Sequence, residues 1–162
     1  MDGKQETDLS IILNFVVDGS PDHIFNLWTT VSEIKKFFSE DAVVDLKFGG
    51  SYEIYFLPRE DPKSNINSTK GARLLDIKKG ERLVFEWTMP PFARELNTKP
   101  LPTWVELTFQ AIKNNPNKTH ISLKHYGFKR GGKWDKAYEY LVRNWAIILF
   151  RLDLLCASDF SE

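Results

Sequence analysis

The most regular hydrophobic pattern of the chain lies near its C-terminal end. Bulky apolar residues recur there at alternating spacings of four and three, which places them along one face of a long helix: Trp134, Tyr138, Leu141, Trp145, Ile148, Leu152 and Leu155. Charged and amide side chains fill most of the remaining positions. So wide an apolar face needs a broad apolar surface to cover it.

Before this helix, the pattern changes to the alternation of apolar and polar positions that is typical of β-strands. The strands predicted from it are 9–17, 42–48, 52–57, 72–77, 82–88, 103–111 and 119–126. Two short helices follow the first strand. Ser20 and Pro21 begin the first of them, and Ser32 is the predicted cap of the second. Short turns rather than helices join the later strands, so their sheet should be antiparallel.

These elements predict one α+β domain over residues 9–158, after a disordered N-terminal tail at residues 1–8. In this domain, a curved antiparallel sheet of about six or seven strands wraps around the long C-terminal helix. The connection at residues 89–102 contains four prolines and is longer than an ordinary hairpin loop. It is either a lid over a cavity or a surface insertion without a role.

Composition and charge narrow the range of functions. The 162 residues include 22 Lys and Arg and 22 Asp and Glu, and this balance argues against nucleic acid as a partner. The single cysteine, Cys156, cannot form an internal disulfide and favours a reducing compartment. No apolar run is long enough to span a membrane, and the N-terminus lacks the apolar core of a signal peptide. We therefore expect a cytoplasmic protein.

Four segments, in a fixed order along the chain, resemble a known family. They are FVVDGSPDHIFNLWTTVSEIKKFF (15–38), VDLKFGGSYEIYF (44–56), GARLLDIKKGERLVFEW (71–87), and ISLKHYGF (121–128) followed by Trp134. This pattern is similar to the family related to the C-terminal domain of the activator of heat-shock-protein-90 ATPase, within the helix-grip (START-like, SRPBCC) superfamily. The resemblance implies a helix-grip fold with a cavity between sheet and helix, and a chaperone as a candidate partner. Where the family usually has Trp-Phe at the end of the second helix, this chain has Phe37-Phe38.

Aromatic residues supply the candidate lining of that cavity. They make up 14% of the chain, and rigid rings often line pockets for apolar ligands. The predicted cavity-lining residues are His125, Phe38, Tyr55, Phe85, Trp87, Trp134 and Tyr138. Trp28 and Trp145 are further candidates, whereas alternation places Trp104 on the outer face of its strand.

His125 has the most versatile chemistry of these residues. Strand alternation points it inward beside Ile121 and Leu123, and Trp134 and Tyr138 are the helix rings expected next to it. It is a hydrogen-bonded core histidine, an anchor for a ligand, or a general base. No Ser, Cys or Asp is paired with it at a readable spacing, so no catalytic residue is predicted.

Three other patterns carry less weight. His120 and His125 lie on opposite faces of a strand and no metal-binding motif is present, so we expect neither a metal nor another cofactor. Residues 127–133 match the G-x-x-x-x-G-K of a phosphate loop, but Trp134 stands where a Ser or Thr must bind magnesium. One edge is basic and is either solvated or a docking site for an acidic protein. Its residues are Lys124, Lys129, Arg130, Lys133 and Lys136, interleaved with Tyr126, Phe128 and Trp134.

The sequence thus favours a non-enzymatic binding protein that holds a small apolar or amphipathic ligand between helix and sheet. A first alternative is a protein-partner module, either a chaperone cofactor or a stress-linked regulator. A second alternative is an enzyme of the cyclase or dehydratase type that uses His125 as its base.

Overall fold

The order of elements is that of an α+β chain that ends in one long helix. The computed structural model describes residues 9–159, so the predicted tail at residues 1–8 lies outside the described residues. The elements in chain order are β1 (Leu9–Asp18), α1 (Pro21–Thr29), α2 (Val31–Phe37), β2 (Asp41–Val44), β3 (Tyr52–Tyr55), β4 (Leu74–Lys78), β5 (Arg82–Trp87), a 3-10 helix (Pro91–Leu96), β6 (Thr103–Ile112), β7 (Asn115–Phe128) and α3 (Gly132–Asp159).

The strands pair antiparallel and form two hydrogen-bonded sheets. Five of them lie in the order β1-β7-β6-β5-β4, and β2 pairs with β3 in a second sheet. Backbone hydrogen bonds join the two sheets beside β4, from Gly49 N to Leu74 O (2.8 Å) and from Tyr52 N to Ala72 O (2.9 Å). The predicted antiparallel arrangement is confirmed, and the strands are divided between a sheet of five and a sheet of two in the described residues.

β2 is shorter than the sequence predicted, because the chain turns sharply after Val44. Within this turn, Lys47 N donates to Asp45 O (2.8 Å), and Gly50 N donates to Lys47 O (2.9 Å). A Cβ at Gly50 would lie 2.0 Å from Asp45 O, so a larger residue does not fit there. The second half of the predicted strand is therefore a turn.

The two short helices follow each other with one residue between them. α1 begins as predicted, since Ser20 Oγ accepts a hydrogen bond from His23 N (3.2 Å). The predicted cap of α2 is wrong. α2 begins at Val31, so Ser32 lies inside its first turn, and the extended backbone of Thr30 connects the two helices.

The apolar stripe of α3 is buried against β1 and α2. Leu141, Trp145, Ile148 and Leu152 are each 3% exposed or less, whereas the residues at the two ends of the stripe are partly buried. Ala137, Leu149 and Cys156 widen this buried face. Within the described range, no helix is both long and apolar enough to cross a membrane.

Candidate functional site

His125 lies on the inner face of β7, in the core between the sheet and α3. In the register of the sheet it is opposite Ile11 of β1 and Val105 of β6. Its neighbours on the same face, Ile121 and Leu123, are buried, and His125 itself is 0% exposed. The inward orientation predicted from strand alternation is confirmed.

One hydrogen bond fixes the protonation state of His125. Trp145 Nε1 donates to His125 Nδ1 at 3.0 Å. Because an indole N–H can only donate, Nδ1 is the unprotonated nitrogen, and the proton of the neutral ring is on Nε2. Burial lowers the pKa of His125 to about 3, so the ring is neutral at physiological pH.

Two buried N–H groups have no hydrogen-bond acceptor within residues 9–159: His125 Nε2 and Trp28 Nε1. Both side chains are fully buried. A buried donor without an acceptor costs about 1–3 kcal/mol, and native cores contain few of them. The core therefore offers two directed donors that an acceptor could satisfy.

Aromatic rings connect these two donors. We define the aromatic cluster as Trp28, Phe38, Phe85, Trp87, His125 and Trp145. Phe38 is its centre, with ring centroids 5.1 Å from Trp28, 5.9 Å from Trp87 and 5.8 Å from Trp145. Trp87 also contacts Trp145 at 4.8 Å and Phe85 at 5.9 Å. The structure thus brings together four of the predicted cavity-lining residues, His125, Phe38, Phe85 and Trp87, and adds the two further candidates, Trp28 and Trp145.

The helix ring that contacts His125 is Trp145, whereas Trp134 and Tyr138 were expected there. Tyr138 packs against Phe128 at 5.3 Å and donates through its hydroxyl to Ser10 O (3.0 Å). Phe128 and His125 are three residues apart in β7, a distance of about 10 Å. About seven residues of α-helix span the same distance. The helix residue that reaches His125 is therefore Trp145, seven residues after Tyr138. Trp134, one turn earlier, is partly buried at the edge of the core.

Tyr55 lies away from the aromatic cluster, although it was predicted to line the cavity. Its hydroxyl donates to Glu53 Oε1 (2.7 Å), and the Arg59 guanidinium lies 4.5 Å from its ring centre. Burial, followed by the hydrogen bond to Glu53, raises the pKa of Tyr55 to about 12. The inward tyrosine of β3 is Tyr52, whose hydroxyl donates to Trp28 O (2.7 Å). Tyr52 and Tyr55 are an odd number of residues apart, so strand alternation could have shown that only one of them faces inward.

The 3-10 helix at Pro91–Leu96, which we call the strap, closes the space between the end of β5 and α3. Phe92 packs edge-on against Tyr140 of α3 (5.7 Å), and Glu95 forms an ion pair with Lys133. A notch of about 20 Å³ remains beside the strap, with Trp87 in its wall. Of the aromatic cluster, Trp87 alone lines this notch. It is too small for a ligand while the strap is in this position.

The glycine-rich segment and the basic edge show no sign of a phosphate site. Gly131 N donates to Asp135 Oδ1 (2.8 Å), and Gly131 and Gly132 have positive φ angles, so they form the turn into α3. Phe128 is fully buried, and Lys133 is paired with Glu95, so the predicted interleaving of rings and cations is only partly at the surface. No group of three or more metal-binding side chains occurs within the described residues.

Comparison with known proteins identifies related sequences and folds. The model of a family described as "Activator of Hsp90 ATPase homolog 1-like protein" matches residues 18–156. No curated protein matches the sequence.

Three solved structures with similar folds illustrate the range of relatives. A protein from Mesorhizobium loti has 15% identity and a TM-score of 0.68, covering 91% of this chain and 96% of its own. A protein from Plasmodium falciparum, described as an HSP90 activator, has 18% identity and a TM-score of 0.67. The match covers 91% of this chain and 95% of that protein. The Aha1 dimer from Colwellia psychrerythraea has 14% identity and a TM-score of 0.62. The match covers 91% of this chain and 96% of that protein. At these identities the likeness shows the fold alone.

Proposed function

The chain belongs to the family of Activator of Hsp90 ATPase homolog 1-like proteins, and on that premise we propose that it is a non-enzymatic binding protein for a small apolar ligand. The ligand lies between the sheet and α3, against the aromatic cluster. The observation that carries this proposal is the pair of buried donors, His125 Nε2 and Trp28 Nε1, without acceptors in the described chain. The single cysteine, buried Cys156, is consistent with a cytoplasmic location.

The donors specify the chemistry of the ligand. Rings of the cluster bury a flat apolar body, and the two N–H groups donate only to a partner with lone pairs, such as a carbonyl oxygen. A carboxylate is disfavoured, because His125 is neutral and offers no charge to balance a buried anion. The ligand is therefore an uncharged apolar molecule with at least one acceptor.

The geometry of His125 does not favour the cyclase or dehydratase alternative. A general base needs a free lone pair within reach of the substrate proton. The lone pair of Nδ1 already accepts from Trp145, and Nε2 carries the proton. The low pKa of His125, caused by burial, makes it a weak base as well.

Thermal stability in the presence of matched compounds tests the proposed site. We compare aromatic ketones with the same molecules in which a methylene replaces the carbonyl. A compound that binds the native state at about 100 times its Kd should stabilise it by about 2.7 kcal/mol. We expect the ketones to raise the Tm more than the methylene compounds do, and His125→Phe to reduce this difference, because it removes one of the two donors.

Phe109→Leu is the matched control for this experiment. Phe109 packs against Phe25 at 5.7 Å, outside the aromatic cluster, so this variant should be destabilised but keep the preference for ketones. Equal responses to ketones and methylene compounds, or no response in any arm, would contradict the proposal.

A second candidate function is that of a chaperone cofactor. The family description and the Plasmodium falciparum neighbour, described as an HSP90 activator, favour it. The exposed basic residues Lys129 and Arg130 beside the start of α3 would suit an acidic partner surface. We expect a pull-down with a purified Hsp90-type chaperone to give a complex at low salt that weakens as salt is added. No complex at low salt would argue against this candidate.

A further inference from the structure

A second cleft lies on the opposite face of β5 from the aromatic cluster. Phe85 and Trp87 point inward, whereas Glu86 and Thr88 line this cleft, which has a volume of about 550 Å³. We call it the outer cleft. Its walls come from the loop after β3 and from the connection between β5 and β6. Small-molecule sites usually have volumes of about 300–1,000 Å³, so the outer cleft has room for a ligand.

Positive charge is concentrated in the outer cleft. Among the described residues that line it, one is acidic, Glu86, and four are cationic. The cations are Lys70, Arg73, Arg94 and Lys99. None of the four forms an ion pair with a carboxylate in the described part of the chain. Because the whole protein has no net charge, this excess is a local feature.

Apolar groups lie next to these charges. Ile66, which is 39% exposed, belongs to the lining together with Pro100 and Leu101. Exposed apolar side chains beside unpaired cations match a ligand that has both an apolar part and a negative charge. An inorganic anion would leave these apolar groups without contacts.

Hydrogen bonds fix both walls of the outer cleft to β5 and its continuation. Thr88 Oγ1 donates to Ser68 O (2.9 Å), which ties the loop after β3 to the sheet. Asn97 Oδ1 accepts from Met89 N (2.8 Å), which ties down the connection on the other side. These two hydrogen bonds hold Ser68 and Asn97 in place, which lowers the cost of ordering the cleft on binding.

We propose that the outer cleft binds a small amphipathic anion, with a carboxylate or phosphate head and an apolar tail. Arg73 and Arg94 bind the head through charge-assisted hydrogen bonds, which arginine forms in bidentate geometry with both kinds of oxyanion. Lys70 and Lys99 add to the positive field, and the tail packs on Ile66 and Leu101. This site differs from the proposed interior site, because no residue of the aromatic cluster lines the outer cleft and the two sites take ligands of different charge.

Isothermal titration with decanoate and decyl phosphate, each below its micelle concentration, tests this proposal. Decanol supplies the same tail without charge, and acetate supplies the head without the tail. We expect both amphipathic anions to bind at least about ten-fold more tightly than decanol or acetate, because neither control compound makes both the charge-assisted hydrogen bonds and the apolar contacts. The two anionic arms also show whether a carboxylate or a phosphate head is preferred.

Charge variants show whether binding occurs in this cleft. Arg94→Gln combined with Lys99→Gln should weaken binding about ten-fold or more, whereas Lys113→Gln combined with Lys129→Gln changes the net charge equally and should not. His125→Phe should leave binding of the anions unchanged, which separates this site from the interior one. If decanol binds as tightly as the anions, if neither anion binds, or if both double variants behave alike, the proposal is overturned.

Discussion

At the scale of single residues, the sequence predicted the direction of His125 but not its hydrogen bonding. Strand alternation predicts its inward direction, because the side-chain period of a strand is two. Its hydrogen bond to Trp145 depends on where α3 crosses the sheet, and residue spacing does not contain that distance. The unpaired Nε2 proton follows from the hydrogen bond, so it could not be predicted either.

The pH dependence of stability should report the buried state of His125. A histidine in the unfolded chain titrates near pH 6.5, but burial lowers the pKa of His125 to about 3 in the folded protein. Between these two pH values the unfolded state therefore binds one more proton than the folded state. The contribution of His125 to the free energy of unfolding is complete above pH 6.5 and is lost as the pH falls from 6.5 towards 3. Urea unfolding should show a loss of about 2 kcal/mol between pH 6.5 and pH 5 from this residue.

Two variants isolate this contribution of His125. His125→Phe should have a shallower loss of stability over the same pH range than the wild type, because it removes the group that takes up the proton. Phe109→Leu lowers stability at every pH but retains His125, so its curve should run parallel to that of the wild type. Parallel curves for His125→Phe and the wild type would show that His125 takes up a proton as readily in the folded state as in the unfolded state, which would contradict this account.

At the scale of elements, the segments with a regular hydrophobic period were predicted correctly, whereas the turns and caps between them were not. The stripe of α3 was correct because a spacing of three and four residues has one structural interpretation over a long segment. β2 was predicted too long, because the apolar Leu46 and Phe48 continue its alternation although the chain turns there. The cap of α2 was misplaced, since Thr30 and Ser32 are both suitable capping residues and only the backbone angles of Thr30 decide between them.

The strap should control access to the interior site. Tyr140→Ala removes the ring contact with Phe92, which contributes about 0.5–1.5 kcal/mol. Provided that the interior site binds the ketones, stopped-flow fluorescence should show association several-fold faster in this variant, because the closed strap is less favoured. Phe150→Ala, at an exposed position elsewhere on α3, is the control and should not change the rate. Equal association rates for all three proteins would show that the ligand enters by another path.

At the scale of the whole molecule, the helix-grip architecture separates two chemical environments by one strand. The inner face of β5 contributes Phe85 and Trp87 to a neutral aromatic cluster, whereas Glu86 on its outer face and Thr88 just after its end line a cationic cleft. The sequence predicted the fold because the stripe of α3 and four family-like segments agree with each other. It did not predict the outer cleft, since its cations come from distant segments that are brought together only by the folding of two loops.

Nitrogen-15 NMR of His125, during titration with the ketone that raises the Tm most, tests the interior site most directly. In the free protein, we predict a proton on Nε2, none on Nδ1, and no titration of the ring near pH 6.5. On addition of the ketone, the Nε2 resonance should move to the position of a hydrogen-bonded donor while the Trp145 indole signal stays in place. A proton on Nδ1, or an Nε2 resonance that does not respond to saturating ketone, would contradict the proposed site.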